Sequence, residues 1–239
     1  MVFLGDLGYL FLLLNVFVVV AKGIKCFLPV YLQQRRTKKG SLVHTFLSYQ
    51  LVSLSMVTYC TFLGVYGMIC EHRILWQDRL GTYSNTAGHL IDSMRIYQLW
   101  NCLLSLCFPE YRNLQTLSHH GAVVLLTYII GDYGHFYMLF FLGISEISSG
   151  FHLHILDINK HLPGLINDNT IRLYKTLFFI SFVLCRIVLW TTINSLLWYD
   201  LCIQNTYQIK TFCFLFLSTF FTGLQYKWGH RLYQLWLNR

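Results

Sequence analysis

Long apolar runs, each closed by a short polar stretch, repeat along the whole chain. The runs fall at 3–21, 42–69, 87–108, 117–130, 133–156, 174–198 and 211–228. Most approach or exceed the roughly 18–20 residues that carry a helix across a hydrocarbon core. About seven helices are therefore predicted, the fourth of them short. Gly131-Asp132-Tyr133-Gly134 joins the fourth run to the fifth by a tight turn, which predicts that those two helices are antiparallel neighbours. The pattern defines an all-α fold, a multi-pass transmembrane helical bundle. Its first run has no basic stretch ahead of it and reads as a membrane helix rather than a cleaved leader.

Composition sharpens this reading. The chain is 55% hydrophobic and 12% charged, with a mean hydropathy of +0.49. A soluble domain carries about a quarter of its residues as charges, so that class is excluded. The cations are unevenly placed. Lys22, Lys25, Arg35, Arg36, Lys38 and Lys39 fall in the first loop, and Arg112, Lys160, Arg172 and Lys175 in the third and fifth. Lys227, Arg231 and Arg239 follow in the tail, whereas the opposite side has Arg73, Arg79 and Lys210. The positive-inside rule then predicts a luminal or external N-terminus and a cytosolic C-terminus. The net charge of +8 needs no nucleic acid, because anionic lipid headgroups at that surface account for it. The mixture of Trp228, Leu232, Trp236 and Leu237 with basic residues predicts a short amphipathic tail along the interface.

The eight cysteines lie mostly in apolar runs, where packing is their expected role; Cys70 and Cys202, at helix ends, are the pair for which disulfide geometry stays open. There is no Asn-x-Ser/Thr sequon to mark a luminal loop.

Ionisable residues inside such runs are expensive and need partners or a task. His119 and His120 stand at the mouth of the fourth run and His44 at the mouth of the second. His89, Asp92 and Arg95 share one face of the third helix, where Asp92 and Arg95 can satisfy each other. Ser145, Glu146, Ser149 and His152 form a stripe on the fifth, with Gly143 and Gly150 leaving room for a neighbouring helix or a lipid chain. Glu146 needs a proton or a cation, and Arg186 in the sixth helix is one candidate for a clamp. Adjacent helical residues point about 100° apart, so one imidazole of the pair can act as base or nucleophile while the other orients a substrate. A structural interfacial pair is the bland alternative. No metal is expected: neither His152-x-His154 nor the adjacent pair has the i, i+4 spacing that sets two ligands on one helix face. No nucleophile elbow, phosphate loop or dinucleotide fingerprint is present.

The order of these features resembles the TLC domain, the membrane domain shared by ceramide synthases, translocon-associated membrane proteins and several lipid-regulatory proteins. The resemblance covers 37–228 and rests on Ser41-Leu-Val-His44, Gly88-His-Leu-Ile-Asp92, His119-His120, Glu146-Ile-Ser148-Ser149 and Cys185-Arg186-Ile187. It divides the chain into an N-terminal helix and basic loop (1–36), the TLC domain and a basic tail (229–239). It implies an endoplasmic reticulum membrane protein acting in membrane-lipid homeostasis, in the sphingolipid, ceramide or phospholipid class, with an intramembrane cavity for an acyl lipid. Self-association is compatible with it. Were the synthase reaction to carry over, His119, His120, Asp92 and Glu146 would be catalytic. His44, His89, Arg95, Ser149, His152 and Arg186 would line the substrate site, with no bound cofactor and acyl-CoA as co-substrate. The synthases carry a His-Asp-x-x-Asp element after the histidine pair, whereas Leu142-Gly143-Ile144-Ser145-Glu146 stands here. That departure resembles the TLC-domain-containing lipid-regulatory branch, and a non-enzymatic membrane adaptor is the remaining reading.

Overall fold

A computed structural model describes residues 2–131, 133–203 and 209–237, with side chains from 5 to 234 within those ranges. Asp132, Arg239 and the side chains of Trp236 and Leu237, all singled out above, lie outside the described residues. The described chain is helical. After α1 (Val2–Phe27) and a single turn, α2 (Val30–Gln33), come α3 (Val43–Gln77), α4 (Asn85–Cys107) and α5 (Leu114–Ile130). The short α6 (His135–Met138) runs into a π-helical segment (Leu139–Gly143) and a 3-10 segment (Ile144–Ser149), followed by α7 (Phe151–His161). α8 (Asp168–Phe182) passes through a second π segment (Val183–Leu189) into α9 (Trp190–Ile203), and α10 is Ile209–Leu237.

Among the described residues, three helices are long and apolar enough to cross a membrane: Gly5–Phe27, Val43–Gln77 and Asp168–Ile203. A fourth is added if the bent pair His135–Ser149 and Phe151–His161 makes one span. These helices fit an integral membrane protein. Their outward faces keep large apolar side chains exposed, among them Phe11 at 69% and Phe62 at 61%, in a molecule whose solvent on that face would be lipid.

Side-chain caps start three of the helices, two to six residues ahead of the apolar runs. Ser84, Asn113 and Asn167 cap α4, α5 and α8 by accepting backbone N–H bonds from Ala87, Thr116 and Asn169 at 2.8–2.9 Å. Loops meet at both ends of the bundle. At one end Thr37 and Ser41 donate to the buried carboxylate of Glu110, and Lys38 N–H donates to His161 C=O at 3.2 Å. At the other, Arg79 grips Asp200 with two bonds of 2.5 and 2.6 Å, and Tyr137 donates to the same carboxylate.

Three expectations need correction. The fourth and fifth apolar runs are joined by a tight turn with Gly131 and Gly134 at φ of +54° and +69°, yet their helices do not pack as neighbours. α5 packs on α4 and α10, whereas α6 and its π segment pack on α3 and α4. The reason is an anchor: Gly134 N–H donates to Leu80 C=O at 2.8 Å and the buried His135 ring bonds the Ser84 backbone. The start of α6 is thereby tied to the α3–α4 turn. The fifth run is also not one straight helix, since it bends by 46° at Gly150. Finally, the tail expected as a separate interfacial helix continues α10 without a break through Leu237.

Glycine sets one close helix contact. A Cβ on Gly64 of α3 would lie 2.6 Å from Gly143 Cα, and one on Gly143 would lie 2.5 Å from Gly64 Cα. The backbones touch, so Gly143 makes room for a helix here.

Candidate functional site

Five stripes converge on one interior cleft. Met94 and Gln98 come from α4, and His119, Val123 and Leu126 from α5. Phe141, Leu142 and Glu146 come from the π and 3-10 segments, and Arg186 and Trp190 from the second π segment and the start of α9. Phe214, Ser218, Phe221 and Gln225 close it from α10. Spacings of three and four residues in α4, α5 and α10 put these side chains on one helix face. Both π segments flank the cleft, and such segments are frequent at functional sites because the extra residue per turn redirects the side chains around it.

An arginine clamp forms one wall. Arg186, 6% exposed, donates to Glu146 at 2.7 Å, to Ser149 Oγ at 2.7 Å and to Ser148 Oγ at 3.0 Å. The 3-10 segment presents all three acceptors at once. Opposite stands His119, whose ring meets Phe221 and Trp228 edge-on at 5.6 and 5.2 Å and His120 at 5.5 Å. Nδ1 of His119 is buried without a hydrogen-bond partner, as are both Nε2 and Oε1 of Gln225. Each such group costs about 1–3 kcal/mol in desolvation when nothing pairs it. Room for the centre of a water molecule in the cleft is about 20 Å³, which suits a water or a small polar group and not an acyl chain.

The sequence-derived residues divide among several places. Glu146 and His119 line the cleft, Arg186 clamps its wall, and Ser149 supports the clamp. His120 touches the His119 ring but is not part of the lining, and its own Nδ1 is unpartnered. Asp92 and Arg95 belong elsewhere. Arg95 bonds both oxygens of Asp6 at 3.1 Å and Asp92 at 2.6 Å, while Tyr128 donates to Asp6 at 2.7 Å and lies under the guanidinium. The Asp92 side chain is 59% exposed and points away from the His119 cleft, because its partner Arg95 faces α1. His89 is exposed on the same helix. His44 and His152 are half-buried, each with an unpartnered Nδ1, and neither lines the cleft. Among the described residues, no three His, Cys, Asp or Glu side chains cluster as a metal site, and all eight cysteines are free, Cys70 and Cys202 included.

Sequence reasoning missed Gln225, Ser218 and Gln98 in the cleft. The signal was present: 214, 218, 221 and 225 make a 4-3-4 stripe that carries two polar residues through an apolar helix. It also missed Asp6, a lone acid in the first apolar run, and a network in which Gln50 and Tyr111 donate to Asp157 and His154 bonds Gln50 at 2.5 Å.

No protein-family model matches this chain, and no curated protein sequence matches it.

Proposed function

We propose that the chain is a TLC-type membrane protein of about seven crossings that binds or modifies an acyl lipid and so acts in membrane-lipid homeostasis. Its membrane is the endoplasmic reticulum, with the N-terminus luminal and the basic C-terminal side cytosolic. One observation carries the reading: the cleft of an apolar bundle holds His119 and Gln225 with hydrogen-bonding atoms that no protein group satisfies. A protein retains that cost where a bound water, an ion, a ligand or a catalytic task accounts for it, and in a lipid-facing bundle we read it as a ligand site. The clamp holds Glu146 and Arg186 at the wall, and Phe214, Phe221, Phe141 and Trp190 offer apolar surface for the carbons beside a polar head. A full acyl chain requires α10 to move relative to α5 and the π segments, because the cleft is narrow as it stands.

The test is a lipid profile of cells lacking the protein, rescued with wild type or His119→Ala. The reading expects a shift in acyl-lipid composition that wild type restores and His119→Ala does not. An unchanged profile in the deficient cells sinks it and favours the adaptor.

The unpartnered His119 Nδ1 favours a second reading, acyl transfer from acyl-CoA to a sphingoid base. This nitrogen takes the proton of the sphingoid-base amine as it attacks the acyl-CoA carbonyl, the amide C–N bond forms, the thioester C–S bond breaks, and the proton passes to the departing CoA sulfur. Purified protein, labelled acyl-CoA and a panel of bases decide it. A product that His119→Ala abolishes supports transfer; no histidine-dependent product across the panel removes it.

A further inference from the structure

Gln225 is 1% exposed, and its carboxamide leaves both its donor and its acceptor unpaired in the cleft beside an unpaired nitrogen of His119. A glutamine kept there for packing would be a poor choice, because a leucine fills similar space without two desolvated dipoles. The remaining lining supplies no free charge. Glu146 and Arg186 are committed to each other, and the polar surface otherwise comes from Gln98 and Ser218, both already bonded within the protein.

This inventory selects among headgroups. A group that satisfies Gln225 must offer an acceptor to Nε2 and a donor to Oε1 together. A phosphate monoester dianion has no donor for Oε1 and needs a cation that the clamp has already engaged. An ammonium has no acceptor for Nε2 and meets no free carboxylate. A hydroxyl or a carboxamide offers both roles and carries no charge into an apolar cleft. We propose that the cleft recognises a neutral headgroup, a hydroxyl or carboxamide at the end of an apolar chain, and that Gln225 sets this preference. The proposal rests on the reading of the cleft as a lipid site and adds the class of head and the residue that selects it.

The experiment uses the purified full-length chain in detergent and four C12 photoprobes that carry a mid-chain diazirine: dodecanol, dodecanamide, dodecyl phosphate and dodecylammonium. Crosslinked peptides are mapped by mass spectrometry. The alcohol and the amide should label the cleft-lining parts of α5 and α10 about tenfold more than either ion, as two extra hydrogen bonds imply. Gln225→Leu should cut alcohol and amide labelling about tenfold while its melting temperature stays level or rises. Gln225→Glu should turn the preference toward dodecylammonium. Equal labelling by the ions, labelling indifferent to Gln225, or a lower melting temperature in Gln225→Leu overturns the proposal and leaves the lipid site standing. If none of the four probes labels the cleft, the proposal and the lipid reading fall together.

Discussion

Two buried arginines, Arg95 and Arg186, are each 6% exposed and organise the polar interior of this bundle in opposite ways. Around Arg95 the bonds close on themselves. Asp6 receives two guanidinium bonds and the Tyr128 hydroxyl, Asp92 receives a third, and the Tyr128 ring covers the cation at 4.9 Å. Around Arg186 the clamp is equally complete, yet directly beyond it His119 and Gln225 present atoms with no partner. A closed cluster ties helices together. An open one, in a packed apolar setting, is where a ligand belongs. The difference separates Asp92 from Glu146, two carboxylates that look alike as lone acids in apolar sequence.

Breaking the closed cluster should give the largest loss of stability. Arg95→Met strands Asp6 and Asp92 without a cation, and the melting curve of the purified protein should show a cost of about 3–5 kcal/mol. A loss under 1 kcal/mol would mean that α1 is held by its apolar contacts alone. Gly64→Ala comes next. Its methyl group would drive into the Gly143 backbone, and such overpacking costs about 1–3 kcal/mol, read in the same assay.

Glu110 gives a smaller, pH-dependent effect. Burial alone would raise its carboxyl, but the Ser41 and Thr37 hydroxyls outweigh that and hold it below its ordinary range. A depressed carboxylate stabilises the fold fully above its unfolded value of about 4.3, and that contribution disappears as pH falls through the folded value. Glu110→Gln should therefore flatten the stability profile below about pH 5, with hydrogen exchange in the 28–42 loop as the local readout. A variant as acid-sensitive as wild type there would remove Glu110 from the account. The least change in stability belongs to His119→Phe, which keeps the aromatic contacts with Phe221 and Trp228 and discards an unpaired nitrogen. Its unfolding free energy should stay within about 0.5 kcal/mol of wild type, in contrast to Arg95→Met.

The helical class and the approximate helix positions were legible because apolar runs are local signals. The caps Ser84 and Asn113 went unread although they are equally local, and the pairing of Asp92 with Arg95 follows from three-residue spacing. The clamp of Glu146 with Arg186 was legible as one candidate among others, since each charge needed a partner at similar depth. Other features depend on contacts distant in sequence. The separation of α5 from α6 follows from Gly134 bonding Leu80, and nothing local signals that anchor. The first π segment ends at Gly143, where it meets Gly64, a contact between residues far apart in the chain. The cleft itself was half visible: His119, Glu146 and Arg186 were named, but Gln225 became conspicuous only once both ends of its carboxamide were seen to lack a partner.

The central claim is that the open cluster is a ligand site and the closed one is not. Native mass spectrometry of the full-length protein, released from its membrane in mild detergent, tests it most directly. Wild type should carry a bound lipid that His119→Phe and Gln225→Leu largely lose at unchanged or higher melting temperature. Equal lipid occupancy in wild type and both variants, or a wild type that carries no lipid, would contradict it.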